Sequence, residues 1–305
     1  MSNNKITIVS SADHNYFNML NELIDSILRF EQSSEIKICI VDGGLHKNQL
    51  EILKSKVFKI RALNHDLKNI EKFKKNPYFT GLVSRLFLRE TFPEFEKFIW
   101  IDSDAWLNSW DTIEYLINAS TNGKLAAAAT ADRHNEKLLN FKWLCGPFGL
   151  MKSQNFKHAR NSGYGSNVCK KIALKPHINC GVFCLDYNSS FWDLWKKHYI
   201  FSIKKGSFFA KEQLAMNICI YHENLPCELL PHFCNWIPTA DTILWDENRK
   251  IFVEKYFPHN PIGIMHLAGG YKVDGVDMRQ DKSKKISIKT TEGHTILRSL
   301  RYHFD

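Results

Sequence analysis

Two carboxylates follow an apolar segment one third of the way along the chain. Asp102, Ser103 and Asp104 come directly after residues 98–101, which read FIWI. Four consecutive apolar residues predict a strand that is buried on both faces. Ligands collect at the carboxyl ends of strands in open α/β sheets, and two like charges there are stabilised by a cation between them. Carboxylate oxygens suit Mg²⁺, Mn²⁺ or Ca²⁺, so the pattern favours a divalent metal site over a solvated acidic turn.

Other segments place polar residues or glycine beside apolar runs. Arg85 lies on a helix-like segment before the acidic pair. Taken alone, each motif has a plainer interpretation: a D-x-N-Y sequence is a good loop or helix cap, and a lone His is more often a core residue. The remaining candidates are Ala12, Asp13, Asn15 and Tyr16; Asn179 and Gly181; Glu212 and Gln213; and His266, Gly269 and Lys272, the last three in an H-x-x-G-x-x-K pattern.

Strand-like and helix-like segments alternate around these motifs. We expect a mainly parallel twisted sheet with helices on both faces, an α/β fold, because the βαβα order continues through the first half. A break at 133–177, without a clear period, is typical of a functional region. Strand-like segments are 6–10, 36–41, 58–63, 98–101, 125–130, 178–185 and 262–266, and helix-like segments are 19–28, 50–57, 82–91, 191–199 and 211–220.

Composition indicates a globular protein. The chain has 305 residues, of which 44% are apolar and 24% charged, and these are ordinary values. No apolar run approaches the roughly 18 residues of a spanning helix. The start of the chain passes at once into a strand-like segment, and its eight cysteines form no C-x-x-C pair. We therefore expect no signal peptide, reduced cysteines and a cytoplasmic location.

A net charge of +9 predicts anionic partners. No helix-turn-helix, finger or arginine-rich stripe is visible, which argues against nucleic acid and leaves nucleotide phosphates or an anionic lipid surface. From Arg279 onward the chain has seven basic and three acidic residues. Such a segment is either a basic tail that contacts a membrane peripherally, at about 1 kcal/mol per Lys or Arg, or a solvated terminal helix.

The order and spacing of the motifs resemble the retaining glycosyltransferases of family 8 over about residues 5–275. That group includes glycogenin and bacterial galactosyl- and glucosyltransferases that extend lipopolysaccharide. The resemblance implies a GT-A fold with one catalytic domain over 1–275, divided into a nucleotide-binding half (1–132) and an acceptor-side half (133–275), before the basic tail (276–305). It also implies a UDP-hexose donor, galactose or glucose, and a glycan acceptor such as lipopolysaccharide, with or without a lipid anchor.

Site roles follow from the same resemblance. Asp102, Asp104 and His266 would hold Mn²⁺, or Mg²⁺ in its place, and the metal would neutralise charge on the departing UDP. Lys272 and the backbone near Gly269 would bind the diphosphate. For Asp132 a turn cap is equally favoured. The residues expected to contact the donor are Ala12, Asp13, Asn15, Tyr16, Arg85, Ser103, Asp132, Asn179 and Gly181.

The resemblance assigns the transfer step to Glu212 and Gln213. The family usually has Asp-Gln at these two positions. Retention could proceed through a covalent intermediate or through attack of the acceptor on the side that UDP leaves. An amide oxygen is a weak nucleophile, so we favour the second route, with Gln213 stabilising positive charge and Glu212 orienting the sugar. Asn235 and Trp236 resemble a family stretch near the acceptor groove, although Trp236 also suits simple packing. The usual Lys-Pro-Trp ending is replaced by Lys272-Val273-Asp274.

Two other functions compete with this interpretation. One is a non-catalytic protein that binds nucleotide sugars. The other is a phosphatase of the haloacid-dehalogenase type, which also places D-x-D after an apolar strand. Such phosphatases have that strand near the start of the chain and a Thr or Val two places after the second Asp, where this chain has Trp106.

Overall fold

A computed structural model describes residues 5–63, 78–134, 140–146, 148–205, 210–238, 243–268, 272–273, 276–279, 281 and 283–302. The strands are β1 (Ile6–Ala12), β2 (Lys37–Asp42), β3 (Lys59–Ala62), β4 (Lys97–Ile101), β5 (Ala105–Leu107), β6 (Leu125–Ala129), β7 (Asn140–Cys145), β8 (Phe148–Lys152), β9 (Ile178–Asp186), β10 (Cys227–Leu230), β11 (Ile243–Asp246), β12 (Ile251–Glu254), β13 (Ile264–His266), β14 (Lys272–Val273), β15 (Val276–Asp277), β16 (Ile286–Thr290) and β17 (Thr295–Arg298). The α-helices are α1 (Phe17–Leu28), α2 (Lys47–Lys54), α3 (Tyr78–Ser84), α4 (Leu88–Thr91), α5 (Asp111–Ala119), α6 (Gln154–Asn161), α7 (Ser166–Ala173), α8 (Phe191–Ser202) and α9 (Lys211–Tyr221).

The main sheet has seven strands in the order β10-β6-β9-β4-β1-β2-β3. Four of its neighbouring pairs are parallel, which confirms the expected mainly parallel α/β sheet. Strand β9 lies antiparallel between β4 and β6. The strand at 178–185 was expected, but its reversed direction was not, because strand composition carries no information about direction.

Strand β4 is the centre of this sheet and positions the acidic pair at its end. All five of its residues are buried. Phe98 and Trp100 pack in one hydrophobic cluster, while Ile99 and Ile101 pack in another. The FIWI segment is therefore buried on both faces, as its unbroken apolar pattern predicts. Helix α1 covers one face and helix α8 covers the other.

Two expected elements differ in detail. The helix expected at 82–91 is broken into α3 and α4, which flank Leu86 and Phe87. The segment 133–177 contains more regular structure than its sequence suggests, since its described part includes the β7–β8 hairpin and helices α6 and α7.

The C-terminal segment is folded into a second sheet. Strands β16 and β17 form a hairpin, and β16 pairs with β11 in the four-stranded order β12-β11-β16-β17. Ile286 and Ile288 are buried in the same cluster as Leu300. A solvated terminal helix is therefore wrong: apolar residues at every second position give one buried face to a strand. In the described part of the chain, no helix has the length and hydrophobicity needed to cross a bilayer.

Candidate active site

A cleft of about 480 Å³ opens at the carboxyl ends of β1 and β4. Parallel strands place their carboxyl ends on one edge of the sheet, so residues distant in sequence meet there. Of the residues singled out from the sequence, those that line this cleft are Ala12, Asp13, Tyr16, Arg85, Asp102, Ser103, Asp104, Asn179 and His266.

His266 is brought to the acidic pair by the pairing of two short strands. Strand β13 runs antiparallel to β5, and this register places His266 opposite Ala105. The N–H of Leu267 donates to the carbonyl of Asp104 at 2.8 Å and closes the pair. As a result His266 Nε2 lies 3.2 Å from Asp104 Oδ1 and 3.7 Å from Asp102 Oδ2.

These three side chains fit a single divalent cation. Each offers one ligand atom, and the three atoms lie within 4.8 Å of one another. Ligands about 2.1 Å from one ion are about 3 Å apart at right angles and about 4.2 Å apart when opposite. The two measured separations from His266 fall between those limits. Two carboxylates with one imidazole form an oxygen and nitrogen donor set that suits Mn²⁺.

Without a metal, the buried site is held together by opposite charge. Burial alone would lower the pKa of His266, but the Asp104 carboxylate outweighs it and the pKa is raised. Burial acts on Asp104 in the opposite direction, and His266 overcomes it, so that the pKa of Asp104 is lowered. A bound cation would take the place of the imidazole proton.

Gly181 is required at its position by the crowding around these ligands. It follows Cys180 on β9, and its carbonyl accepts from the N–H of Asp102 at 2.8 Å. A Cβ atom on Gly181 would lie 2.2 Å from His266 Cε1 and 2.7 Å from Asp102 Oδ2. Real Cβ atoms do not approach other atoms so closely, so glycine is the residue that fits at position 181.

Asp102 is oriented by two donors on one of its oxygens. Arg85 Nη2 donates to Asp102 Oδ1 at 2.8 Å, and Trp100 Nε1 donates to the same oxygen at 2.6 Å. The other oxygen faces His266. Arg85 also donates from Nη1 to the carbonyl of Cys180 at 3.1 Å. Burial would lower the pKa of Arg85, but the nearby Asp102 carboxylate more than offsets this and raises it.

Asn235 is a site residue whose role the sequence did not reveal. Its Oδ1 lies 2.7 Å from His266 Nδ1, and its Nδ2 donates to Asn179 Oδ1 at 3.2 Å. Asn179 Oδ1 also accepts from the N–H of Gly181 at 2.7 Å. Asn235 is buried, with Trp236 buried beside it, so both pack behind the metal ligands. Asn235 was noted for its resemblance to a family stretch near the acceptor groove, but its contact with His266 could not be inferred, because the two residues are 31 positions apart.

The loop after β1 shapes the nucleotide side of the cleft. Asp13 Oδ1 accepts from the N–H of Asn15 at 2.9 Å and from that of Tyr16 at 3.2 Å, so Asp13 stabilises the turn into α1. Tyr16 lines the cleft, and burial raises its pKa. Asn15 is exposed and does not line the cleft.

Glu212 and Gln213 begin α9 and lie behind the lining of the cleft. Glu212 is 4% exposed, and burial raises its pKa despite the opposing charge of Arg85. Gln213 Oε1 accepts from the N–H of Cys180 at 3.3 Å. Its Nε2 donates to His177 Nε2. Glu212 is thus buried and Gln213 half-buried at the start of the helix.

His177 and Asn155 extend this contact, and neither was singled out from the sequence. His177 Nδ1 lies 2.6 Å from Asn155 Oδ1. An amide oxygen can only accept, so His177 carries its proton on Nδ1 and accepts at Nε2. Burial lowers the pKa of His177 to about 4, which keeps the ring neutral. The orientation of the Gln213 amide is thereby fixed from behind.

Three further candidates cannot be placed in the cleft, one by its position and two because they fall partly or wholly outside the described residues. Asp132 does not line the cleft, and its carboxylate accepts from the N–H of His232 at 2.9 Å and from that of Arg133. Gly269 lies outside the described residues. The backbone of Lys272 belongs to β14, but its side chain lies outside the described part of the chain.

Comparison with known proteins gives one family and a shared fold. A sequence model described as Glycosyl transferase family 8 matches residues 7–272. A crystal structure of galactosyltransferase LgtC in complex with donor and acceptor sugar analogs is 12% identical, with 87% of this chain and 88% of that chain covered and a TM-score of 0.52. The bifunctional glycosyltransferase WbbM, in its apo structure, is 16% identical with a TM-score of 0.56, covering 90% of this chain and 48% of WbbM. None of the curated proteins matches.

Proposed function

The chain belongs to glycosyltransferase family 8, and from that premise we propose that it is a retaining hexosyltransferase. It transfers galactose or glucose from a UDP-sugar to a glycan acceptor, lipopolysaccharide or another surface glycan, with Mn²⁺ held by Asp102, Asp104 and His266. Mg²⁺ is the alternative ion.

One observation carries this proposal. Ligand atoms from β13 and from the end of β4, 162 residues apart between Asp104 and His266, converge within 4.8 Å at the end of a buried strand. The ligand side chains leave no space for a side chain at position 181, where the chain has glycine. A solvated acidic turn would need neither the histidine nor that glycine.

The protein's own residues suit a nucleotide donor. When bound, the metal supplies a Lewis acid that neutralises the leaving diphosphate. Tyr16 offers an aromatic face to the uracil, and Asp13 offers a carboxylate to the base or ribose. Asn179, which also lines the cleft, is assigned to the donor sugar. Ser103, between the two aspartates, also lines the cleft.

Gln213 is assigned to the transfer step. The acceptor hydroxyl attacks the anomeric carbon on the face from which UDP departs, and the released phosphate takes the hydroxyl proton. Gln213, held by Cys180 and His177 just behind the lining of the cleft, would stabilise the positive charge that develops on the sugar through the dipole of its amide. Glu212 orients the sugar indirectly: it is buried near Arg85 and Cys180, which frame the donor site.

Asp104→Asn tests the metal site with a small change of shape. Calorimetry should show tight UDP binding to the wild type with Mn²⁺, and a loss of that metal-dependent binding in the variant. Asp111→Asn, at an exposed aspartate on α5, is the control and should bind like the wild type. Equal UDP affinity in Asp104→Asn and the wild type, with Mn²⁺ present, would contradict the assigned ligand.

A screen of UDP-sugars for metal-dependent hydrolysis distinguishes the competing functions. A transferase releases UDP from one hexose donor, whereas a non-catalytic binding protein binds the donor and leaves it intact. A phosphatase would instead release phosphate from p-nitrophenyl phosphate. Trp106 argues against the phosphatase, because it stands where those enzymes have a Thr or Val, and its buried ring donates from Nε1 to the carbonyl of Leu300.

We further propose that the protein contacts an anionic membrane peripherally, on its cytoplasmic side, where a lipid-linked acceptor would be available. Deletion of 279–305 would not be a clean test of this contact, because the segment supplies two strands and buried core residues. The double variant Lys285→Gln and Lys289→Gln removes two exposed charges and leaves the core unchanged. Reduced sedimentation with phosphatidylserine vesicles is expected; unchanged sedimentation would contradict a role for these lysines.

A further inference from the structure

We propose that Arg279 binds the diphosphate of the nucleotide sugar. The proposal rests on the proposed function, and it assigns a donor contact to a residue beyond position 272, where the family match ends. Arg279 lines the same cleft as the metal ligands. The family resemblance provides no role for it.

The side chain of Arg279 is fixed in place by Asp277. Nε donates to Asp277 Oδ1 at 3.0 Å, and Nη2 donates to Oδ2 at 2.7 Å. The backbone N–H of Arg279 donates to Asp277 Oδ1 at 2.9 Å. This two-point geometry orients the planar guanidinium and uses one edge of it, which a lysine could not reproduce.

The opposite edge of the guanidinium faces the cleft. Its Nη1 lies 3.5 Å from the hydroxyl of Tyr16 and 3.8 Å from Asp104 Oδ2. Good N–H···O hydrogen bonds are about 2.7–3.2 Å long, so neither contact satisfies Nη1 well. A phosphate oxygen placed between the proposed uracil contact and the proposed metal ligand would lie within reach of this donor.

The backbone of Arg279 is supported by the end of the chain. Arg301 Nη1 donates to the carbonyl of Arg279 at 2.7 Å. Arg301 in turn forms a two-point ion pair with Glu22 on α1, at 2.7 and 2.6 Å. Its side chain is 3% exposed, so this pair is shielded from solvent. The C-terminal segment is thus tied to the helix that follows the Tyr16 loop, and Arg279 is held at the mouth of the cleft.

Charge balance in the cleft favours a phosphate as the ligand of Arg279. Arg85 also lines the cleft, but its hydrogen bonds go to Asp102 and Cys180. A metal at Asp102 and Asp104 would leave one diphosphate with negative charge that a further cation can neutralise. Arginine recognises phosphate oxygens with strong charge-assisted hydrogen bonds.

Comparison of UDP with uridine isolates the phosphate contact. Calorimetry at saturating Mn²⁺ should show that Arg279→Gln weakens UDP binding about 10- to 100-fold, as expected for a lost charge-assisted hydrogen bond. Uridine should bind within about twofold of the wild type. Affinity for Mn²⁺ alone should be unchanged or higher, because a cation near Asp104 has been removed.

Arg249→Gln is a matched control. Arg249 is likewise clamped by an aspartate shortly before it, Asp246, but it does not line the cleft. It should retain wild-type affinity for UDP. Arg279→Lys keeps the charge and should give an intermediate loss of UDP affinity. If Arg279→Gln does not fold, the lysine variant serves for the comparison of UDP with uridine.

Three outcomes would overturn the inference. In the first, Arg279→Gln binds UDP as tightly as the wild type. In the second, UDP and uridine are weakened equally, which would indicate a role in shaping the pocket. In the third, Arg249→Gln loses as much affinity as Arg279→Gln, which would indicate a general effect of net charge. A wild type that binds no UDP with Mn²⁺ would instead refute the proposed function itself.

Discussion

Asn235 Oδ1 lies 2.7 Å from His266 Nδ1, and both residues are buried. An amide oxygen accepts and cannot donate, so this contact places the proton of the neutral ring on Nδ1. The lone pair of Nε2 is then directed at Asp102 and Asp104, where the cation is proposed to bind. Asn235 therefore selects the tautomer that can ligate a metal.

We expect Asn235→Ala to weaken Mn²⁺ binding about 10- to 100-fold, the usual effect of removing a partner behind a histidine ligand. Asn235→Asp keeps an acceptor for Nδ1 and should recover most of that affinity. Mn²⁺ binding is measured directly, by electron paramagnetic resonance of the free ion. Equal losses in Asn235→Ala and Asn235→Asp would show that the acceptor oxygen is not what matters.

Gly181→Ala should abolish metal binding and destabilise the protein. Its Cβ would lie 2.2 Å from His266 Cε1, so the ring or β9 must move, at a cost of about 1–3 kcal/mol in the free energy of unfolding. Gly165→Ala is the control, because a Cβ there meets no atom within 4 Å. Urea unfolding and Mn²⁺ titration test both effects, and an intact metal site in Gly181→Ala would contradict the geometry.

Gln213 should affect turnover more than donor binding. Gln213→Ala removes the amide dipole, and we expect kcat to fall about 100-fold, similar to the loss of one preorganised donor. Donor KM should change by less than about threefold. His177→Phe leaves Gln213 in place but removes its acceptor, so a smaller loss of kcat is expected, about tenfold.

The two variants together separate positioning from chemistry. If His177→Phe raises KM and leaves kcat unchanged, the ring supports donor binding and not the orientation of Gln213. If Gln213→Ala lowers kcat/KM only by raising KM, the side chain binds the substrate and the transition state equally well. Steady-state kinetics with the hexose donor identified by the hydrolysis screen supplies both parameters.

Local sequence pattern was enough to predict the framework of the fold. The apolar run at 98–101 is a fully buried strand, and the acidic pair at its end lies in the cleft. His266 was linked to that pair through family resemblance, and the pairing of β5 with β13 supplies its physical basis. The buried strand and the metal ligands could be predicted because their signals lie in consecutive residues or in motifs with fixed spacing.

Contacts between single polar residues could not be predicted in this way. Asn235 reaches His266, and Asn155 reaches Gln213 through His177, only after separate elements have packed. A lone Asn or His in a sequence is equally compatible with a cap, a core or a surface position. The expected alternative of a solvated terminal helix is wrong for a related reason: the lysines of this segment indicate solvent exposure, while the alternation of Ile286 and Ile288 produces a strand with one buried face.

The largely enclosed ring of His177, which is half-buried by accessible surface, should make stability fall in mild acid. Burial lowers its pKa from 6.5 to about 4. The unfolded chain therefore binds a proton that the folded protein does not, and stability is full above about pH 6.5 and lost as the pH falls towards 4, by up to about 3 kcal/mol. Urea unfolding between pH 4 and 7 measures how the free energy of unfolding changes with pH.

His134 has a pKa lowered in the same direction, so the informative quantity is the difference in this slope between the wild type and His177→Phe. The variant should show a shallower slope, and His294→Gln, at an exposed histidine, should keep the wild-type slope. An equally steep slope in His177→Phe would show that the ring is not buried in its neutral form.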